Sequence, residues 1–239
     1  MDKAIVESCD VYFYDLALNL GIDLMHDYLA QFGFGAPTGI DLKEESSGLL
    51  PSRDWKRARR GQPWYPGETL ITGIGQGYTL ATPLQLAYAT AVLSMHGAHT
   101  PPHLLRAVGS AAQEAELLPA PMTNVPIRNR GNWDAIITAM KRVVSSERGT
   151  AQAIGRKSPF PIAGKTGTAQ VFSIKQDEKY VEKEVAERLR DHSLFIAFSP
   201  PENPRIALAV MAENAGHGST AAAPIARKMI DQYLGNLPP

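Results

Sequence analysis

Apolar residues recur at helical spacing near the head of the chain. Leu16, Leu20 and Leu24 fall four apart, and after Gly21, a residue suited to closing a helix, the pattern resumes from Ile22 to Phe32. The stretch from Asp2 to Gly33 is therefore expected to be helical, with Ser8-Cys9-Asp10 near a junction. Gly, Pro and Ser are frequent over residues 34 to 80, with turn signals at Ala36-Pro37 and Tyr65-Pro66-Gly67, and this part is expected to be mostly loop with short elements. Thr82-Pro83 opens a helix with a capping hydroxyl and a proline at its first position. That helix runs from Leu84 to Met95, stops at Gly97, and is apolar on most sides, which predicts burial. Residues 98 to 131 are Pro-rich, with a strand expected around Leu104 to Val108. A further helix is expected from Trp133 to Val144 behind an Asn132 cap.

The last third has a different rhythm. Ile162 to Phe172 suits a strand, Leu194 to Phe198 and Ile206 to Met211 are β-rich runs joined by Pro200-Pro201-Glu202-Asn203-Pro204, and Ala223 to Leu234 is an amphipathic helix. This predicts an α+β fold, an antiparallel sheet with a helix across it. Lys175 to Asp191 mixes both charge signs densely and is expected to be an exposed insertion.

Composition narrows the options. The 239 residues are 44% hydrophobic and 20% charged, as in ordinary globular domains, and 24 Lys and Arg balance 24 Asp and Glu. A net charge of zero gives no global field for nucleic acid or an anionic membrane. The basic cluster Arg53, Lys56, Arg57, Arg59 and Arg60 is read as a solvated face. Cys9, the single cysteine, has no partner for an internal disulfide, and no run of about 18 apolar residues marks a membrane span. Gly73, Gly75 and Gly77 lack the G-x-G-x-x-G spacing and the βαβ setting of a nucleotide site, so they are read as a tight turn.

The chemistry lies in two short motifs. Lys165-Thr166-Gly167-Thr168 sits in the first of the late strands. A lysine ammonium there attracts a substrate carboxylate, threonine hydroxyls donate to it, glycine leaves room along a strand edge, and the backbone N–H just past the motif can donate to a developing oxyanion. Alone, such a tetrapeptide is an ordinary strand end. Ser8-Cys9-Asp10 fits a second element, S-x-N with aspartate in third place: a hydroxyl to relay a proton and a carboxylate to hold a lysine. Alone, it is an ordinary helix cap. Ser-x-x-Lys, S-x-N and K-T-G together are the three motifs of the penicillin-recognising serine acyl transferases.

Taken with Ala4-Ile5-Val6-Glu7-Ser8-Cys9-Asp10-Val11-Tyr12-Phe13-Tyr14, Gly73-Ile74-Gly75-Gln76-Gly77-Tyr78, Thr82-Pro83-Leu84-Gln85-Leu86-Ala87, Ala163-Gly164-Lys165-Thr166-Gly167-Thr168-Ala169-Gln170 and Ala222-Ala223-Pro224-Ile225-Ala226, the chain resembles the class B penicillin-binding proteins of the elongation type. The resemblance implies a penicillin-binding/β-lactamase-like fold, a five-stranded antiparallel sheet flanked by helices with a helical lobe. Residues 1–239 would be the C-terminal part of one transpeptidase domain, incomplete at the N-terminus, with 1–97 mainly helical lobe and 158–239 the last sheet strands and closing helix. It implies a D,D-transpeptidase that transfers an acyl group from a D-Ala-D-Ala stem peptide to a neighbouring amine and is acylated by β-lactams. Ser8, Asp10 and Lys165 would be catalytic, and Thr166, Gly167 and Thr168 would bind substrate. Expected partners are peptidoglycan strands and an elongation-type glycosyltransferase, on the periplasmic face of the bacterial inner membrane through an N-terminal anchor outside this chain. No cofactor is required.

No serine in the chain has a lysine three residues later. The family places that Ser-x-x-Lys motif before S-x-N, so this chain alone is expected to be inactive. Some elongation-type members carry a zinc site with a cysteine at the position of Cys9; with the other ligands expected upstream, the alternative is a small buried thiol. His217, in the loop after the last strand, is either a ligand contact at the cleft mouth or a solvent-exposed loop residue. A serine β-lactamase and a non-catalytic penicillin-recognising sensor or scaffold share the motifs and stay open at this point.

Overall fold

The computed structural model describes residues 1–110, 113–116, 122–156, 158–171 and 185–237. The expected helical head forms in three pieces, α1 (Asp2–Val6), α2 (Asp10–Leu20) and α3 (Ile22–Ala30). The breaks fall where the backbone leaves right-handed helical space, at Ser8 with φ 54° and Gly21 with φ 76°. Two short helices follow in the loop-rich region, α4 (Arg53–Arg60) and α5 (Pro66–Gly73). Ser52 caps α4 by accepting from the Trp55 N–H, and Gly61 closes it in the left-handed conformation.

The basic cluster on α4 corrects the solvated-face expectation at one position. Arg53, Arg57, Arg59 and Arg60 are exposed, but Lys56 is buried. Its ammonium pairs with Glu68 of α5 and lies 4.3 Å from the centre of the Tyr65 ring. A buried ammonium needs such a partner, and the partner lies twelve residues away, out of reach of any local charge pattern.

Helix α6 (Pro83–Ser94) begins with a reciprocal cap between Thr82 and Gln85. The expectation of an apolar buried helix is met differently. Its fully buried residues are Gln85, Thr90 and Ser94 with Val92, while Leu84, Leu86 and Leu93 are half-buried. The Gln85 amide donates to the carbonyls of Ala36 and Ser47, both at 2.8 Å, so its polar atoms are satisfied inside the fold.

Strands β1 (Ala98–His99), β2 (Ala107–Ser110), β3 (Gln113–Glu116) and β4 (Thr123–Asn124) form two small antiparallel pairs, β1 with β4 and β2 with β3. The strand expected from Leu104 starts only at Ala107, because the backbone N–H groups of Leu104 and Leu105 are taken by the Asp41 carboxylate. Helix α7 (Gly131–Ser145) encloses the expected cap Asn132, and it is the Asn129 side chain that accepts from the Gly131 N–H. A short α8 (Gln152–Gly155) follows.

Strands β5 (Ala163–Ala169), β6 (His192–Ser199) and β7 (Ile206–Ala212) form an antiparallel sheet in that order, and α9 (Ala222–Gly235) closes the chain. Alternation along β6 places Phe195 and Ala197 in a cluster with Leu208, Ala222, Ala226 and Ile230 under α9. Phe198 and Ala163 belong to a second cluster with Ile137 and Met140 of α7. Each fully buried Phe or Ile here contributes roughly 1.5–3 kcal/mol by leaving water. The expected charged insertion falls mainly outside the described residues; at its end Asp191 is buried rather than exposed, its carbonyl accepting from the Gly216 N–H. Among the described residues no helix is long and apolar enough to cross a membrane.

This packing carries the two motifs toward each other. Helix α7 lies against β5, α1 lies against α7, and Ile5 of α1 joins Val143 in the main core. The end of α1 is thereby held over the strand that bears Lys165.

Candidate active site

Ser8 sits in the turn between α1 and α2. The Cys9 N–H returns to the Ala4 carbonyl to close α1, and Asp10 opens α2 within its first turn, where the helix dipole favours a carboxylate. A serine with φ 54° is held in a sparsely populated conformation, of the kind found where geometry serves a site.

Lys165 lies on β5 opposite this turn. Its ammonium donates to Ser8 Oγ at 2.8 Å and to the Thr166 carbonyl at 3.0 Å. Burial disfavours its charged form and the nearby Asp10 carboxylate favours it; burial wins, and the lysine is brought down from 10.5 to about 8. An amine with that affinity for protons, in contact with a hydroxyl, is suited to passing a proton through that hydroxyl near neutral pH.

Sequence reasoning did not find Thr150. It follows α7, takes a backbone hydrogen bond from its N–H to the Val6 carbonyl, and places its hydroxyl 2.9 Å from Thr166 Oγ1. One loop residue thus touches both α1 and the Lys-Thr-Gly strand.

Among the described residues, strand β5 is an edge of its sheet. The Thr168 carbonyl accepts from Gln76 Nε2 at 2.7 Å, so it points away from β6. In an extended strand the N–H and C=O of one residue point the same way, so the Thr168 N–H also faces the open edge. Gly167 faces Leu194 across the ladder, and a Cβ there would stand 3.2 Å from Leu194 Cβ. Gly218, another residue the sequence did not flag, packs its backbone on this point. A Cβ on it would lie 2.2 Å from the Leu194 carbonyl oxygen and 2.5 Å from that of Gly167. His217 beside it is exposed, and its carbonyl accepts from the hydroxyls of Ser193 and Thr220.

Ser8, Asp10, Lys165 and Thr166 therefore come together, with Gly167 and Thr168 continuing along the same strand. Cys9 does not join them. It is exposed, which corrects the buried-thiol alternative, and among the described residues no group of three His, Cys, Asp or Glu is close enough to hold a metal ion. These residues do not make up a zinc site by themselves. Next to the outer end of β5 opens a cavity of about 990 Å³, lined by Leu16, Leu20 and Leu24 of the head helices, by Ala169 to Val171 and by Leu194. The leucines whose spacing predicted a helix are exposed here, from 38% at Leu16 to 55% at Leu24.

A Ser-x-Asp turn and a Lys-Thr-Gly edge strand facing each other across a cleft, on an antiparallel sheet with helices on both faces, are two of the three motifs of the penicillin-recognising class in their mutual arrangement. The chain matches the penicillin-binding protein transpeptidase domain over residues 1–231, and it belongs to that family. Within it, the chain is similar to proteins of the penicillin-binding protein 2, or MrdA, type. It is 43% identical over 234 residues to the peptidoglycan D,D-transpeptidase MrdA of Haemophilus influenzae, covering 98% of this chain and 36% of that protein. The crystal structure of Pseudomonas aeruginosa penicillin-binding protein 2 in complex with WCK 5153 superposes with a TM-score of 0.84 at 46% identity, covering 98% of this chain and 48% of that one. A protein solved in a peptidoglycan synthase complex that coordinates polymerization and crosslinking gives 0.79 at 31% identity, covering all of this chain and 38% of that one. The chain spans about a third of the length of the curated relatives it matches.

Proposed function

We propose that this chain supplies two walls of a peptidoglycan D,D-transpeptidase site, the proton-relay turn at Ser8 to Asp10 and the substrate-holding strand at Lys165 to Thr168, and that a Ser-x-x-Lys segment outside these 239 residues brings the nucleophile. The observation that carries this reading is the 2.8 Å contact between the Lys165 ammonium and Ser8 Oγ, made across 157 residues by a lysine that burial brings down to about 8.

In this reading the incoming serine hydroxyl attacks the carbonyl of the penultimate D-Ala. An ester forms, the peptide bond breaks, and terminal D-Ala leaves as an amine that takes its proton through Ser8. Lys165 and Thr166 hold the substrate carboxylate, and the Thr168 N–H donates to the oxyanion. A neighbouring stem-peptide amine then attacks the ester, forming the cross-link and releasing the serine. A β-lactam enters by the same first step. The exposed apolar cavity beside β5 supports a missing neighbour on this side of the domain. The longer protein would work in the periplasm at the inner membrane, beside a glycosyltransferase that polymerises the strands.

The test is labelling by a fluorescent penicillin, applied to this chain and to the same chain joined upstream to the Ser-x-x-Lys segment. Covalent label on the longer protein alone is expected, and it should vanish when that serine is replaced by alanine. Label on neither protein would sink the transpeptidase reading in favour of a non-catalytic module.

A further inference from the structure

The fold contains a second tether to the catalytic strand, at the end opposite Lys165. Gln76 lies between two glycines with φ 76°, Gly75 and Gly77, in the loop that follows α5. Its carboxamide donates through Nε2 to the Thr168 carbonyl at 2.7 Å and accepts through Oε1 from the Gln170 N–H at 3.4 Å. One amide giving one bond and taking another on the free edge of a strand is what a peptide unit of an adjacent strand would do.

That loop is itself anchored. Two residues on, the Tyr78 hydroxyl donates to Glu68 Oε1 at 3.2 Å, and its ring packs against Trp55. Burial works against ionisation of Glu68, but the Lys56 ammonium, the Tyr65 N–H and the Tyr78 hydroxyl outweigh it and hold the carboxyl below its ordinary value. Helix α5 in turn abuts α2, so tightly that a Cβ on Gly73 would stand 2.5 Å from Ala17 Cβ. The helix that begins with Asp10 is thus linked through α5 and this loop to the outer end of β5.

We propose that Gln76 is a positioning residue for acyl transfer: it clamps the Thr168 end of the Lys-Thr-Gly strand to the helical side of the cleft, while Lys165 and Ser8 join the two sides about 10 Å further along. The clamp fixes the edge on which the oxyanion donor and the acceptor carbonyl of Thr168 lie. This rests on the acyl-transfer reading above, but the existence of the clamp does not.

Two measurements separate them. In this chain, Gln76→Ala should raise hydrogen exchange at the Gln170 amide by about tenfold, with exchange along β6 and β7 unchanged. Unchanged exchange at Gln170 would remove the clamp. In the protein extended by the Ser-x-x-Lys segment, Gln76→Ala should slow acylation by fluorescent penicillin about tenfold. Gln76→Glu, nearly the same size, keeps the acceptor but sets a carboxylate against the Thr168 carbonyl. Its rate relative to wild type should be low at pH 8 and recover as the pH falls through the carboxyl range, where the protonated acid donates again. Taking the ratio at each pH cancels the titration of groups that both proteins share, Lys165 among them. Acylation by Gln76→Ala at or above the wild-type rate, or a flat ratio for Gln76→Glu, would overturn the positioning role. Failure of the extended wild type to label would count against the transpeptidase reading, and hydrogen exchange would still decide the clamp.

Discussion

The protonation of Lys165 is the sharpest quantity the site offers. With a midpoint of about 8, roughly one-tenth of the side chain is neutral at pH 7 and roughly nine-tenths at pH 9, where an ordinary lysine at 10.5 is only about 3% neutral. The gap between 10.5 and about 8 corresponds to on the order of 3 kcal/mol. Competitive labelling with a small acylating reagent across pH 6 to 11, read peptide by peptide by mass spectrometry, gives the midpoint of each lysine. Lys165 is expected to titrate near 8. Asp10→Asn removes the charge that opposes the effect of burial, so its midpoint should fall further. Because the unfolded chain binds this proton more tightly, the folded state gains stability as pH rises from about 8 to 10.5 and carries the cost of the buried ammonium below 8. A midpoint near 10.5 in the folded protein, or one unmoved by Asp10→Asn, would refute the account of how burial and charge set this lysine.

Three further predictions follow from the packing around the site. Thr150→Val removes the hydroxyl beside Thr166, and acylation of the extended protein should slow several-fold while thermal unfolding shifts by no more than about 1.5 kcal/mol. Gly218→Ala drives a methyl to within 2.5 Å of the Leu194 and Gly167 carbonyls, and denaturant unfolding should report a loss of about 1–3 kcal/mol or more. Glu68→Gln should cost up to about 3–5 kcal/mol by stranding the buried Lys56 ammonium, and Lys56→Met less, since Glu68 is partly exposed and keeps the Tyr65 N–H and Tyr78 hydroxyl; a double replacement by apolar residues should recover much of the loss, a coupling that a double-mutant cycle in urea would measure.

Much of the fold could be read from residue patterns because its elements satisfy local rules. The β6 and β7 strands are short β-rich apolar runs joined by a Pro-rich turn, α9 carries a stripe of apolar residues, and Thr82-Pro83-Leu84-Gln85 is a complete helix start. The Ser8 and Lys165 motifs were legible too, since their residue types match a known chemistry. What escaped depends on contacts made only after folding. Lys56 looks like one more charge in a basic helix until Glu68 reaches it, and Thr150 and Gly218 lie in loops whose value comes from touching β5. The Gly75-Gln76-Gly77 run did signal a turn, but which strand its glutamine would meet lies 92 residues away. The leucine spacing of α2 and α3 predicted helix, and helix formed, but the spacing did not tell that these side chains stand open to a cavity.

The central claim is that these residues hold a D-Ala-D-Ala peptide for transfer to an amine. The most direct measurement incubates the protein extended by the Ser-x-x-Lys segment with a stem pentapeptide and a labelled D-amino acid, and follows the product by mass spectrometry. The account predicts exchange of terminal D-Ala for the labelled amino acid, lost in Lys165→Ala and absent from the 239-residue chain alone. Hydrolysis to the tetrapeptide without exchange, or exchange that survives Lys165→Ala, would contradict it.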